Sequence, residues 1–455
     1  MTEQRETWSG RGGFILATIG SAVGLGSIWK FPYEVGANGG TAFVFFYIAG
    51  LILIVVPLML AEFAIGRRGR SDASASIEAV AAEHNRGRLW ALAGLLGVIT
   101  GFLILSFYSV IGGWTIAYAV DTALNGLGAP DAVAAQERYD ALLASPARLI
   151  FYHGLFMLAS CAVVMRGVGG GIEMASKILM PVLVLLMGLL AVYAMIEGDL
   201  AATVRFLFQL DFAHFTTRAA IEALGLGFFS IGVGLSLMIT YAAYAPPGVS
   251  LKEVAIASAV ADTAISFLAG FAVFPIVFSH ELDPASGAGL VFVTLPIAFA
   301  DMPFGTVAAV AFFVLLFVAA LASAISMLEL AVATLRQRLG WSRIAASIVA
   351  AVACFTAGLA TVFSFNVWSG WHPLGAFPTF AQATVFDLLD ELTSNLLLPL
   401  GGFALAIFAG WALPPRILDQ ELSLSRTGAL WLHRLLRYVV PAGIAAAALT
   451  PFFFS

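Results

Sequence analysis

One carboxylate lies deep inside an apolar stretch of the sequence. Asp262 is flanked by Ala261 and by the run from Ala264 to Leu268, and no basic residue lies at helical spacing within the stretch. A charge in such surroundings is costly unless another group compensates it. A structural ion pair is the simpler explanation, but the missing basic neighbour favours a cation-binding or proton-binding role.

Glycine interrupts two apolar stretches. Residues 20–27 read GSAVGLGS and residues 229–236 read FSIGVGLS. Each glycine weakens a helix by about 1 kcal/mol relative to alanine. A broken helix frees N–H groups that can bind a carboxylate and C=O groups that can bind a cation. Taken singly, either cluster is explained more simply by close packing of helices.

Other site chemistries have little support in the sequence. The six histidines are scattered, with no pair at metal-ligand spacing, and they are His84, His153, His214, His280, His372 and His433. Cys161 and Cys354 lie in separate apolar runs and are expected to be small buried hydrophobic residues. We therefore expect that the protein is not an enzyme.

Composition limits the class of protein. Of 455 residues, 61% are hydrophobic and 11% are charged, the net charge is -5, and the mean hydropathy is +0.97. A soluble domain carries roughly 25% charged residues, and a chain without a basic excess does not suit a nucleic-acid partner. The sequence predicts an all-α polytopic protein with the lipid bilayer as its solvent.

Runs of about 20 apolar residues can cross a bilayer. Eleven such runs are expected, at residues 12–36, 41–66, 89–123, 147–165, 171–196, 218–243, 252–279, 304–335, 342–364, 383–412 and 434–454. With the N-terminus in the cytoplasm, seventeen Lys and Arg residues fall on the inside, and only Arg138, Arg148, Arg205 and Arg218 fall on the outside. This bias predicts a multi-pass inner-membrane protein with a cytoplasmic N-terminus and an extracytoplasmic C-terminus.

The two glycine clusters fall in the first and sixth of the expected spans. That position suggests two inverted five-helix halves within a single transporter domain, residues 1–197 and 218–412, with 434–454 as an additional helix. Interruptions at matching places in two halves are typical of secondary transporters with a binding site at the membrane midplane. The pairing therefore favours broken helices 1 and 6 over simple helix packing.

Several motifs in order along the chain resemble one family. They are Trp8, AVGLG at 22–26, IWKFPY at 28–33, NGG at 38–40, PLM at 57–59, Tyr108 with Trp114, ITY at 239–241 and TLP at 294–296. The chain resembles the neurotransmitter:sodium symporter family, and within it the leucine-transporter-like bacterial members. The resemblance implies sodium-coupled symport of an amino acid or a relative into the cell.

The resemblance also implies a substrate site. The substrate carboxylate would meet the N–H groups of Leu25 and Gly26 and the hydroxyl of Tyr108. The substrate amino group would meet carbonyls near Ala22, Phe229 and Ser230. The side-chain pocket would comprise Ile104, Phe229, Gly232, Leu235, Ser323 and Met327, with Phe229 as an aromatic lid. This pocket has no charge or amide, and Gly232 leaves room, which favours Trp, Phe, Tyr, Leu or Met. Ordinary helix packing is the alternative explanation of this apolar set.

Two sodium sites follow from the same resemblance. The first would comprise the Ala22 carbonyl, Ser27, Ser230 and Asp262, and the second would comprise the carbonyls of Gly20, Val23 and Ala319 with the hydroxyl of Ser323. Relatives usually have an oxygen ligand at the position of Ala322, so one or two sodium ions are expected. Asp262 would supply the negative charge that chloride supplies in some relatives, so no chloride requirement is expected.

Gating residues match the family in part. Lys30 would pair with Asp390 or Asp387 above the pocket, although a lysine that reaches the membrane interface is an equal alternative. On the inner side, Arg5, Trp8 and Tyr244 resemble the cytoplasmic gate. The position expected to supply an acid to Arg5 is Gln337, which leaves the partner of Arg5 unassigned.

The expected function is import of an apolar or aromatic L-amino acid by sodium-coupled alternating access. A membrane amino-acid sensor that does not transport and a proton-coupled transporter are the alternatives. The expected partners are the amino acid and the bilayer, and the sequence leaves the oligomeric state open.

Overall fold

The computed structural model describes residues 6–127, 132–209, 216–280 and 290–453. Within these residues all regular structure is helical. Nine continuous helices are long and apolar enough to cross a membrane, namely Thr41–Gly69, Arg88–Asn125, Pro146–Val164, Val168–Glu197, Leu251–Ser279, Gly305–Leu339, Arg343–Ser364, Val385–Ala412 and Arg426–Thr450.

Two further spans are broken. The first consists of Arg11–Ala22 and Gly26–Ala37, which meet at an angle of 54°. Another pair, Thr217–Ile231 and Leu237–Ala243, is separated by five residues without helix and stands sixth in chain order. Among the described residues, length and composition support nine spans, or ten with the Arg11–Ala37 pair. We count the 217–243 pair as the sixth segment and number the segments 1 to 11 in chain order, as the sequence predicts.

The remaining helices are short. They are Ala73–Glu83, Ala132–Leu143, Leu200–Phe208, Leu295–Ala300 and Arg416–Leu422, with 3-10 turns at Arg88–Trp90 and Pro378–Phe380 and a π-turn at Leu290–Thr294. Capping side chains set several helix starts, since Asp72, Thr216 and Ser342 each accept a hydrogen bond from the first turn that follows. Residues 281–289, between span 7 and the turn at Leu290–Thr294, lie outside the described part of the chain.

Most predicted span boundaries agree with the helices to within a few residues. The largest difference is in span 11, which begins at Arg426 rather than at residue 434. Its first turns carry Arg426 and Arg434 and are too polar for an apolar-run search to detect, although Ser425 caps them as a helix.

Burial separates the central spans from the peripheral ones. In span 8, 78% of the apolar window is buried inside the protein, whereas in span 11 the share is 28%. Span 8 packs against spans 1, 3 and 5, so it lies in the centre of the helix bundle. Span 11 presents most of its surface to the outside of the bundle.

Candidate functional site

The first break lies at mid-length in span 1. After Ala22 the backbone of Val23 is extended, with φ -82° and ψ 101°, and the second piece begins with a π-turn from Gly26 to Lys30. This confirms a discontinuous helix 1. The break exposes backbone donors and acceptors to side chains from other spans.

The second break, in span 6, depends on glycine. Gly232 and Gly234 have φ values of 70° and 91°, and Ser236 has a φ of 61°. Such left-handed conformations are costly for residues with a side chain. The N–H of Gly234 donates a hydrogen bond of 2.7 Å to Oε1 of Glu62, which is fully buried. Glu62 therefore holds the second break in place.

Asp262 accepts hydrogen bonds from three hydroxyl groups. Ser27 Oγ lies 2.5 Å from Oδ1, Ser230 Oγ lies 2.9 Å from the same oxygen, and Tyr47 donates to Oδ2 at 2.9 Å. All four residues are buried, and Asp262 makes no ion pair with any of the described residues. The cluster joins both broken helices to span 7.

This donor set fits a monovalent cation. The oxygens of Ser27 and Ser230 lie 2.9 Å apart, and both lie within 3 Å of the same carboxylate oxygen. A buried carboxylate whose neighbours are neutral hydroxyls needs a positive charge or a proton to offset its desolvation. Sequence reasoning missed Tyr47, because a tyrosine in an apolar span carries no motif of its own.

Tyr108 and Ser323 meet the backbone of the first break. The Leu25 N–H donates to the Tyr108 hydroxyl at 3.3 Å, and the Ser323 hydroxyl lies 3.4 Å from the carbonyl oxygens of Ser21 and Val23. Gly24 lies between these two side chains. A Cβ atom at Gly24 would come within 2.6 Å of Ser323 Oγ and 3.1 Å of Tyr108 Oη.

The second expected ion site is partly assembled. The Ser323 hydroxyl approaches the carbonyl of Val23, as expected, and also that of Ser21, which sequence reasoning did not name. Ala319, four residues earlier in span 8, is fully buried, and Ala322 lies 3.6 Å from the Cβ position of Gly20. The methyl group of Ala322 offers no oxygen at this point.

Apolar side chains surround the break on the remaining sides. Ile104, Leu235 and Met327 are each at most 5% exposed. A Cβ at Gly232 would meet only the side chains of Leu235 and Leu237, at 3.6 and 3.8 Å. The side chain of Phe229 lies outside the described part. The described lining of this region carries no charged side chain besides Asp262 and Glu62.

At the end of the bundle where span 1 begins, Trp8 closes the gap between spans 1 and 6. Its backbone N–H donates to the Tyr244 carbonyl at 3.1 Å, its Nε1 donates to the Tyr241 carbonyl at 2.8 Å, and the side chain is 2% exposed. The Tyr244 hydroxyl donates to Glu329 at 2.8 Å. Trp8 and Tyr244 are therefore brought together, as the resemblance implied.

The charges around this closure are arranged differently from the expected pairing of Arg5 with an acid. Glu6 receives Arg336 at 2.8 Å and Arg343 at 2.7 Å, and Arg343 also binds both oxygens of the buried Glu329. Arg5 lies outside the described residues. The terminal segment therefore contributes an acid, and spans 8 and 9 contribute the cations. The sequence held one sign of this exchange, because the position expected to supply an acid is Gln337 and its neighbour, Arg336, is a cation. Sequence reasoning did not assign a role to Glu6.

Replacing Glu6 with glutamine should loosen this closure. The uncharged amide weakens two hydrogen bonds to arginine, each worth about 1.5–3 kcal/mol when charge-assisted. We expect amide hydrogen exchange at residues 6–14 to accelerate at least about tenfold. Glu253→Gln is the matched control, because Glu253 pairs with Arg11 at an exposed site where ion pairs contribute little. Equal exchange rates at residues 6–14 in the two variants would show that the ion pairs of Glu6 do not hold the N-terminal segment in place.

The opposite end of span 1 carries a second group of charges. Lys30 lines a cavity of about 550 Å³ together with Glu34, Arg218 and Glu391. Asp390 accepts a hydrogen bond from Ser394 at 3.0 Å, and Asp387 caps its own helix through Thr384. The pairing of Lys30 with Asp390 stays a prediction.

Comparison with known proteins places these features in context. The family model described as the sodium:neurotransmitter symporter family matches residues 5–128 and 148–393. An uncharacterized sodium-dependent transporter of Bacillus subtilis, YhdH, is 37% identical over 98% of this chain and 97% of its own length. A sodium-dependent transporter of Haemophilus influenzae is 31% identical over 96% of both chains. The crystal structure of MhsT in complex with L-phenylalanine matches with a TM-score of 0.88 and 39% identity, covering 98% of this chain and 99% of MhsT.

Proposed function

Because this chain belongs to the sodium:neurotransmitter symporter family and is a sodium-dependent transporter, we propose that it imports an apolar or aromatic L-amino acid together with sodium. The single observation that carries this proposal is the meeting of both helix breaks with Tyr108 and Asp262. Backbone donors, a phenolic hydroxyl and a carboxylate that can bind a cation then lie at the two helix breaks.

The carboxylate and amino group of the cargo bind at the first break. The N–H groups of Leu25 and Gly26 lie at the start of the second helix piece. The positive end of the helix dipole is there, so these groups attract and bind an anion such as the carboxylate. The Tyr108 hydroxyl adds a donor, and it already lies 3.3 Å from the Leu25 nitrogen. Carbonyls of Ala22 and of the Phe229–Ser230 backbone accept from the ammonium group.

The side chain of the cargo is apolar or aromatic. Its pocket is lined by Ile104, Leu235 and Met327, where a polar side chain would lose hydrogen bonds to water without replacement. Gly232 adds space, since a substituent there would meet only leucine side chains. MhsT, whose structure contains L-phenylalanine, offers a precedent for a cargo of this class.

Sodium binds first at Ser27, Ser230 and Asp262, with the Ala22 carbonyl and the cargo carboxylate completing the shell. A second ion binds more weakly between Gly20, Val23, Ala319 and Ser323, because Ala322 replaces an oxygen ligand. Asp262 balances the charge of the first ion, so chloride is not required. A proton on Asp262 is the alternative coupling ion.

Transport follows alternating access between two five-helix halves, residues 1–197 and 218–412, with the N-terminus in the cytoplasm. With Trp8 and Glu6 closing the inner side, sodium and cargo enter from outside through the region of Lys30 and Asp390. The inner closure then opens, and the low sodium concentration of the cytoplasm favours release.

Reconstituted liposomes test the proposal. We expect sodium-dependent accumulation of labelled Trp or Leu, little accumulation of Gly, and no change when gluconate replaces chloride. A proton gradient without sodium should not drive uptake. Binding without accumulation would favour a sensor, and loss of uptake beyond about tenfold in gluconate would overturn chloride independence. Failure of Trp, Leu and Gly alike to accumulate would remove the transporter function proposed here.

A further inference from the structure

An aromatic and cationic cluster lies where spans 10 and 11 meet at one end of the bundle. Trp411 ends span 10, and Trp431 and Tyr438 lie on span 11, with exposures of 51%, 59% and 57%. The guanidinium of Arg437 lies 4.3 Å from the Trp411 ring centroid and 5.5 Å from that of Tyr438. That of Arg434 lies 5.5 Å from the Trp431 ring. We call these five residues the Trp–Arg cluster.

A glycine fixes the geometry of the cluster. A Cβ at Gly410 would lie 2.7 Å from the backbone of Arg437, so only glycine lets the two spans touch here. The next residue, Trp411, donates from Nε1 to the Arg437 carbonyl at 2.9 Å. The Trp411 ring is therefore held against span 11 by a hydrogen bond to the backbone, beside the Arg437 guanidinium.

The two arginines have no acidic partner among the described residues. Neither Arg434 nor Arg437 forms an ion pair, and the buried Nε of Arg437 has no hydrogen-bond partner. Residues three apart on a helix share a face, so two positive charges lie side by side. By contrast, Arg67 and Arg68 at the same end are neutralised by pairs with Glu421.

The cluster lies at the level of lipid headgroups. From Arg437 to Phe453 the helix rises about 24 Å at 1.5 Å per residue, close to the thickness of the hydrocarbon core. Exposed tryptophan and tyrosine residues are typical of the interface on either side of that core. The cluster is at the same end as Arg86, whose Nε donates to the Ala412 carbonyl at 2.7 Å.

We propose that the Trp–Arg cluster binds the headgroup of an anionic phospholipid. The phosphodiester accepts hydrogen bonds from the solvent-accessible N–H groups of Arg434 and Arg437, and the acyl chains lie along the exposed surface of span 11. A zwitterionic lipid brings its own ammonium group beside two guanidinium groups, which repel it. An anionic headgroup balances the local positive charge. Basic pockets between transmembrane helices bind anionic headgroups in the same way.

Lipid titration of the full-length protein in neutral detergent tests this site. Dioleoyl phosphatidylglycerol should raise the melting temperature at micromolar concentrations, and dioleoyl phosphatidylethanolamine and glycerol phosphate should not. In the double variant Arg434→Gln with Arg437→Gln, the half-maximal phosphatidylglycerol concentration should rise at least about tenfold. The matched control, Arg416→Gln with Arg426→Gln, removes the same charge from exposed arginines and should titrate like the unmodified protein.

The possible results separate clearly. Equal weakening in both double variants would show only general attraction to charge and would overturn the site. So would an unchanged titration in the first variant or equal stabilisation by glycerol phosphate. Arg434→Gln alone, at an exposed position, keeps the test available if the double variant folds poorly. The readout needs no cargo, so it is independent of the transport function proposed above.

Discussion

Asp262→Asn should raise the sodium concentration for half-maximal uptake at least about tenfold and lower maximal uptake, the largest loss expected of any single replacement. Asparagine keeps the size of the side chain but removes its negative charge. Hydrogen bonds and ligand contacts to a charged group contribute about 1.5–3 kcal/mol each, which corresponds to about 10- to 150-fold in affinity.

The reason lies in how Asp262 is surrounded. Ser27, Ser230 and Tyr47 offer it only neutral hydroxyls at 2.5–3.1 Å, and it is 0% exposed. Its charge is therefore best compensated by the ion itself. In the asparagine variant, the same hydroxyls remain, but the cation must enter the buried site without an opposing charge.

Sodium titration of labelled-leucine uptake, with thermal stability as a second readout, measures the effect. Thr263→Val is the control, because the Thr263 hydroxyl bonds only to its own helix at Ala259, 2.8 Å away. Unchanged sodium dependence in Asp262→Asn would show that the carboxylate is not a ligand. If protons replaced sodium as the driving ion, the variant would lose its pH dependence instead.

Much of the fold followed from the sequence for a simple physical reason. Apolar runs must match the bilayer thickness, so spans such as Thr41–Gly69 and Leu251–Ser279 were evident from composition. The two breaks were also predicted, because glycine clusters weaken both helices at matching places in the chain. In the second break, Gly232 and Gly234 adopt positive φ values that other residues avoid. Polar helical turns outside the hydrocarbon, as in Arg426–Arg434, obey no such constraint.

The site was predicted less completely. Residues with a motif, such as Tyr108 and Ser323, could be assigned through the family resemblance, and the structure places both at the first break. Partners that meet only in three dimensions could not. Glu6 finds Arg336 and Arg343 across more than 300 residues of sequence, and Tyr47 reaches Asp262 across 215.

Gly24→Ala should lower substrate affinity by about 5- to 150-fold, because overpacking a filled site typically costs about 1–3 kcal/mol. The new methyl group would lie 2.6 Å from Ser323 Oγ and 3.1 Å from Tyr108 Oη. It would displace both hydroxyls from the backbone of the first break, and so would disturb the proposed carboxylate site and the proposed second sodium site together.

The matched control is Gly12→Ala in the same span, where a Cβ would meet nothing within 4 Å. That change should leave affinity unaltered. Equilibrium binding of labelled leucine at saturating sodium, followed by sodium titration at saturating leucine, separates the two consequences. Loss of both affinities in Gly24→Ala is expected, since one methyl group contacts a residue of each site. Loss of leucine affinity with unchanged sodium activation would show that Ser323 is not an ion ligand, and equal behaviour of the two alanine variants would show that Gly24 is not at the site.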